Sequence, residues 1–290
     1  ATVLRNPYNF IVLPWWDDDN GSMVRAQYLP LKLSLLYDTK VSSNLNDRDA
    51  EWISQFLASR RSTRDFLPTP VPQEIIDQIL TDALTAPSWS NTRPFKVAVA
   101  TGEVKDRISN EFLSRWSVLS KIMRKGIKNK LRLIISRYGL PTSNRSIVKP
   151  YVKELRPRAQ RVGKELYELF GVKRGDREAR DKQWGKNYSF FGAPVEMFIY
   201  IHKSLHIYAA SDAGLMMENL MLSAHGHGLG TCAQGAVNIW DDVVRQEFEI
   251  PKDYRLLCGM AIGYPSDSPI NDFKANRIDV EELILKPRSN

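Results

Sequence analysis

The sequence predicts a mixed α/β layered fold. Stretches with apolar residues at helical spacing alternate with apolar runs of strand length, and no internal repeat interrupts the alternation. Of the 290 residues, 43% are hydrophobic and 10% aromatic, enough for one core of about 200 residues plus additions.

Residues 1–48 read as an irregular extension, with Pro7, Pro14 and Pro30, the acidic run "DDDNG" and the neighbouring Trp15 and Trp16. The regular domain covers 49–290. In "RDAEWISQFLASRRSTRDF" the spacing of Trp52, Ile53, Phe56 and Leu57 is helical, so the arginines that follow sit at a helix end. In "VPQEIIDQILTDALTAPS" Pro72 suits a first helical position, Ile75, Ile76, Ile79, Leu80, Ala83 and Leu84 share a face, and the helix ends at Ala86-Pro87. "PFKVAVAT" alternates as a strand does, and residues 103–113 are helical again. Residues 115–187 change character and read as a helical insertion; in its basic stretch "KIMRKGIKNKLRLIISR" Met123, Ile127, Leu131 and Ile134 fall on one face. "APVEMFIYI" is a buried strand. "LHIYAASDAGLMMENLMLSAHGHGLG" is a central helix, apolar on most sides and stopped by its glycines. "NIWDDVVRQEFEIP" is a short helix with Asn238 or Asp241 as its cap, "LLCGMAIGYP" a second buried strand, and "EELILKP" closes the chain.

The stretch "SRRSTRDF" sets Arg60, Arg61 and Arg64 within five positions around Ser62 and Thr63. Neighbouring guanidinium groups repel one another unless an anion lies between them, so the cluster is either a solvated patch or a phosphate site. Lys274 and Arg277 in "FKANR" could complete a clamp, because guanidinium forks match phosphate oxygens in pairs and an ammonium adds a point charge. "APSWSNTRPF" holds Pro87, Ser88, Trp89, Asn91 and Arg93 between two prolines, either as a plain connector or as a rigid rim offering amide and hydroxyl groups to a polar ring.

Gly226, Gly228 and Gly230 look like a dinucleotide fingerprint, but they follow a helix instead of a strand and read as C-terminal caps. Beyond them, Gln234-Gly235 could bring backbone N–H groups close to a flat ligand. His225 and His227 have no nearby third ligand, so no metal is expected. Cys232 and Cys258 are too few for a disulfide framework and read as small apolar fillers, which suits a reducing, cytoplasmic setting.

Taken in order, "RRSTR", "APSWSNTRPF", "APVEMFIYI", "GLGTCAQGA" and "GYP" with "FKANR" resemble the FMN-dependent nitroreductase superfamily from about residue 50 to residue 290. "LYELFGVKRGDR" and "GLGTCAQ" resemble its nitrobenzoate-reductase-like branch. The resemblance implies an α+β nitroreductase-like fold, with a central mainly antiparallel sheet flanked by helices and the 115–187 insertion as a helical lid. It also implies a homodimer with FMN at the subunit interface. Arg60, Ser62 and Arg61 would then hold the ribityl phosphate with Lys274 and Arg277, while Arg64 reaches the pyrimidine end of the flavin. Pro87, Ser88, Trp89, Asn91 and Arg93 of the partner subunit would line the other edge of the ring, and Ala233, Gln234 and Gly235 would pass over it near N5. Other branches often carry an acidic residue or threonine at Gln234 and glutamine at Arg93, departures that bear on redox tuning and substrate choice.

The implied activity is NAD(P)H oxidoreduction by a ping-pong cycle. NADH or NADPH gives hydride to the flavin, and a small nitroaromatic or quinone-like acceptor takes two electrons in the same groove. The flavin carries the chemistry, so no catalytic side chain is named. Tyr167, Phe170, Trp184 and Tyr188 in the insertion are candidate stacking groups for the acceptor. An alternative on the same fold is reductive dehalogenation of a halotyrosine, for which Glu165, Tyr167 and Lys182 supply the residue types without matching spacing. A non-enzymatic alternative, a basic nucleic-acid-binding module, would use the net charge of +8, but no nucleic-acid motif is present and no such partner is expected. The first residues fit no secretory signal, and no segment has the roughly 18 apolar residues that a membrane span needs.

Overall fold

The frame is a four-stranded sheet made of β1 (Phe95–Thr101), β2 (Val195–His202), β3 (Gly230–Gln234) and β4 (Tyr254–Gly263). Its order is β1-β2-β4-β3 and every neighbouring pair is antiparallel. With its flanking helices this is the α+β architecture expected. The structure, a computed structural model, describes residues 47–124, 137–143 and 151–288. The chain divides into a unit at Ala1–Trp52 and a unit at Ile53–Asn290. In the first, residues 47–52 are described and are helical, opening α1 (Asp47–Ser59), so nearly all of the expected 1–48 extension lies outside the described residues. The sheet and its layers belong to the second.

β2 is apolar along almost its whole length because both faces of the sheet are covered. Val195, Met197, Ile199 and Ile201 pack toward α2 (Gln73–Ala83) and α6 (His206–Gly226), where Ile76, Ile79, Ala213, Met216 and Leu220 are buried. On the other face Phe198 and Tyr200 meet Phe112 of α3 (Gly102–Arg124) and Trp240, which immediately precedes α7 (Asp241–Glu247). Phe112 lies 6.3 Å from Phe198 and 6.0 Å from Trp240 between ring centroids.

Several elements differ from the sequence reading. Leu84 is 51% exposed, because α2 ends at Ala83 and Leu84 falls at its cap. α6 is not covered on most sides: Ile207, Tyr208 and Leu215 stay exposed while Ala209, Ala213, Met216, Leu220 and Ala224 are buried. β3 was not anticipated at all, since two glycines flank the few residues that could show a strand pattern. Neither Asn238 nor Asp241 caps α7. Asn238 Nδ2 instead donates to the Leu257 carbonyl at 2.7 Å, and Asp241 accepts from Tyr200 Oη at 2.7 Å and Arg245 Nε at 2.9 Å. The boundary expected at residue 115 falls inside α3, which continues to Arg124; the described helices of the insertion are α4 (Arg156–Leu169) and α5 (Arg177–Gly185). The stripe of Met123, Ile127, Leu131 and Ile134 lies outside the described side chains. No helix among the described residues is long and apolar enough to cross a membrane.

Candidate functional site

α1 ends at Ser59, whose Oγ donates to the Phe56 carbonyl at 2.7 Å and is hydrogen-bonded to His225 Nε2 at 2.7 Å. The arginine segment then runs along the open edge of β3. Ser62 bridges Thr231 in parallel, and the Thr63 N–H donates to the Thr231 carbonyl at 2.9 Å. The Arg64 N–H donates to Asn271 Oδ1 at 2.8 Å, and Phe66 is buried and bridged to Pro265. Thr63 is buried against Gly230 so closely that a Cβ at 230 would lie 2.2 Å from Thr63 Oγ1. Gly230 is therefore glycine because the segment is clamped directly onto its backbone. Successive side chains of an extended segment point to opposite faces, so burying Thr63 turns Ser62 and Arg64 the other way.

Beside this clamp lies a cavity of about 600 Å³, bounded by Ser59, Arg60, Arg61 and His225 on one side and by Gly228–Thr231 and residues of 265–272 on the other. Arg60 and Arg64 have no carboxylate partner among the described residues. Arg61 Nη1 is 3.6 Å from Oδ1 of the exposed Asp272, a long pair open to solvent on the carboxylate side and weak for that reason. Burial, then the charges of Arg60 and Arg61, hold the His225 pKa below its ordinary value, so His225 adds no positive charge near neutrality. The Cys232 thiol is pushed up to about 11 by burial, with Arg64 and Arg60 pulling it down. Cys258 rises to about 12 by burial, and both thiols are free fillers, not nucleophiles.

The remaining expected site residues are spread over three places. Lys274 and Arg277 are exposed and do not line the cavity; Arg277 Nη1 donates to the Ala275 carbonyl at 2.8 Å. Ala233 and Gly235 are exposed at the end of β3, with Gln234 buried between them. The 87–93 loop is exposed at Pro87, Trp89, Asn91 and Arg93, and Ser88 is half-buried. That loop is stiff for visible reasons. Trp89 N–H donates to buried Asp212 Oδ2 at 3.0 Å, and the Trp89 ring lies 4.5 Å from that of Tyr208. The Arg93 N–H donates to Ser88 Oγ at 3.0 Å. Ser90, Asn91 and Arg93 hold φ of 47°, 57° and 44°, a left-handed conformation that side chains disfavour and that the surrounding bonds enforce. No hydrogen bond or ion pair joins this loop to 60–64 among the described residues.

Of the insertion aromatics, Tyr188 must be set aside. It is fully buried among Phe112, Trp116 and Trp240, at 5.9, 5.5 and 5.1 Å, and faces core instead of an acceptor. Burial raises its pKa far above the ordinary phenol value. Trp184 is 39% exposed beside Trp116. Tyr167 and Phe170 are half-buried at the end of α4, and the Lys186 ammonium lies 5.7 Å from the Phe170 ring.

Residues 57–264 match the model of the nitroreductase family. The chain belongs to that family. Among its relatives is a 4-nitrobenzoate reductase of Pseudomonas putida, 30% identical over 214 residues, 73% of this chain and 85% of that one. A chloronitrobenzene nitroreductase of Comamonas testosteroni is 28% identical over 233 residues, 80% of this chain and 95% of that one. Among solved structures, the FMN- and NADPH-dependent nitroreductase NfnB from Sphigopyxis sp. strain HMH superposes with a TM-score of 0.70 at 27% identity, covering 81% of this chain and 99% of that one. In this nitroreductase-family chain, sequence reasoning missed His225 and Asn271, which hold the ends of the arginine segment. Only Gly230, sitting in "GLGT" directly before β3, carried a readable signal of close backbone approach.

Proposed function

We propose that this chain is an FMN-dependent NAD(P)H oxidoreductase that reduces nitroaromatic or quinone-like acceptors. The observation that carries the reading is the arginine segment clamped onto β3, with Arg60 lining a cavity without a carboxylate partner among the described residues. Guanidinium groups held in place without carboxylates suit a dianionic phosphate, and the exposed Ala233 and Gly235 leave the end of β3 open to a flat ring. The names and cofactors of the relatives point the same way. When bound, FMN supplies two-electron chemistry, accepting hydride from NADH or NADPH and passing it to the acceptor.

On this reading Arg60, Arg61 and Ser62 bind the phosphate, with Lys274 and Arg277 closing over it, and Arg64 balances negative charge at the pyrimidine end. The 87–93 loop cannot serve its own chain's cavity if it stands apart from it, so a second copy supplies it. The exposed apolar side of α6 at Ile207, Tyr208 and Leu215, next to Trp89, is a suitable surface for that homodimer. Tyr167, Phe170 and Trp184 remain the proposed acceptor contacts of the lid, and the basic insertion would favour an anionic nitroaromatic. Equal KM for nitrobenzene and nitrobenzoate at low salt would remove that last point.

The test is the visible spectrum of the purified protein, followed by anaerobic NADPH or NADH and then a nitrobenzoate. Flavin bands that bleach with nicotinamide and return with acceptor support the reading. A colourless protein that neither takes up FMN nor oxidises nicotinamide overturns it.

A further inference from the structure

Glu196 is the anomaly of the sheet. It is the second residue of β2, fully buried, and neither carboxyl oxygen has a hydrogen-bond partner among the described residues. Its carboxyl lies over the backbone of Gly259 on β4, where an added Cβ would meet Glu196 Oε1 at 2.1 Å. Gly259 is in register with Gln234 on β3. Gln234 is also buried; its Nε2 donates to the Asn187 carbonyl at 2.7 Å, and its Oε1 is buried without a partner. Cross-strand partners have Cβ positions about 5 Å apart, so both side chains border the Gly259 position, where a residue larger than glycine would not fit.

The committed end of the Gln234 amide decides the chemistry. With Nε2 bonded to Asn187, the amide oxygen is the Gln234 atom left without a partner. A carboxylate beside it would be a charge with no cation in a dry core and would leave that oxygen unpaired, whereas a carboxylic acid has the missing O–H. We infer that Glu196 is a positioning residue, carried as a neutral acid whose O–H is donated to Gln234 Oε1, directly or through one buried water, so that the amide is fixed at both ends. This rests on the reading above that places Gln234-Gly235 against the flavin. The acid thereby locks the strand end that meets the ring, and it ties that strand end to Asn187 at the base of the lid.

The surroundings agree. Burial drives the Glu196 pKa well above the ordinary carboxylate value, with a backbone N–H at Met260 opposing it at a geometry too poor for a hydrogen bond. The titratable groups around it are the thiols of Cys232 on β3 and Cys258 on β4, both raised chiefly by burial, and no cation pairs with it among the described residues. Its folded pKa being raised, the folded chain holds this proton more tightly than the unfolded chain does. Its contribution to stability is then complete below the unfolded value and is lost as pH rises.

The test uses the full-length protein as purified. The urea midpoint of Glu196→Gln should match that of the natural chain near pH 4 and exceed it increasingly up to about pH 8, because glutamine keeps an N–H donor and has no proton to lose. An offset that does not change with pH overturns the neutral acid, whether or not the protein binds flavin. For positioning, Glu196→Leu should lower kcat about tenfold with little change in nicotinamide KM, and Glu196→Gln should recover most of that loss. In a Gln234→Leu background the Glu196→Leu effect should vanish; additive losses would show that the two side chains do not act together. If the protein proves colourless, the urea series with both substitutions still measures the pair, so failure of the flavin reading and failure of the Glu196–Gln234 link are separable.

Discussion

Two cationic regions of this molecule are built in opposite ways. On the α3–α7 face, each buried or half-buried arginine is matched. Arg115 bonds Glu111 and Asp242 at 2.7 Å each, and Arg245 meets Asp241 at 2.9 Å while also donating to the Ile250 and Tyr254 carbonyls. In the segment after α1, backbone bonds fix the chain with equal care, yet Arg60 and Arg64 have no carboxylate partner among the described residues. On the proposed reading, the two unmatched arginines are the ones that would meet an anion. The contrast teaches that pairing, not the number of charges, is what distinguishes the two regions.

The largest effect should come from breaking the matched side. Arg115→Ala leaves Glu111 and Asp242 facing a void and should cost about 3 kcal/mol of stability, read from urea denaturation. Arg60→Ala with Arg277→Ala should leave the folded chain within about 0.5 kcal/mol of its original stability but weaken FMN binding about a hundredfold. Full flavin retention would place the phosphate elsewhere. Arg64→Ala should lower the flavin potential more than the occupancy, and an unchanged potential would count against its place at the pyrimidine.

Smaller effects sharpen the comparison. Ser90→Gly relieves a left-handed residue in the 87–93 loop and should stabilise the fold by up to about 1 kcal/mol, with a loss of activity if the loop serves a second copy's ring. The pH dependence at His225 is the mildest. Its folded pKa is depressed, so its neutral state is favoured above the unfolded value, near 6.5, and stability falls as pH drops through that value. In His225→Gln that slope should flatten, and addition of inorganic phosphate should lessen it in the natural chain by screening Arg60 and Arg61.

The order of helices and the two long strands were legible because periodicity survives in "EIIDQIL" and "APVEMFIYI", where one face or both faces are buried. The arginine cluster was legible as well, since like charges at such spacing need a reason. β3 was not, because five residues flanked by glycines carry no alternation and owe their pairing to β4. Tyr188 misled: a tyrosine in a basic insertion looks like a surface group, and only the packing of Phe112, Trp116 and Trp240 reveals it as core. Glu196 passed unremarked within a buried strand, as its surroundings depend on Gly259 and Gln234, far away in sequence. The exposed side of α6 was misread because an apolar helix face looks alike in sequence whether or not its own chain covers it.

The clamp of Thr63 on Gly230 has a further effect on the protein in the cell. β3 is an outermost strand, and such strands offer unpaired amides and carbonyls to any passing chain. Residues 62–66 cover part of that edge, so the segment that presents the arginines also shields the sheet from intermolecular pairing. If the proposed anion binds there, losing it would leave the arginines to repel one another and would weaken that shield. Aggregation of this protein should therefore begin at β3, and starvation for its ligand should appear first as loss of solubility, before any loss of secondary structure.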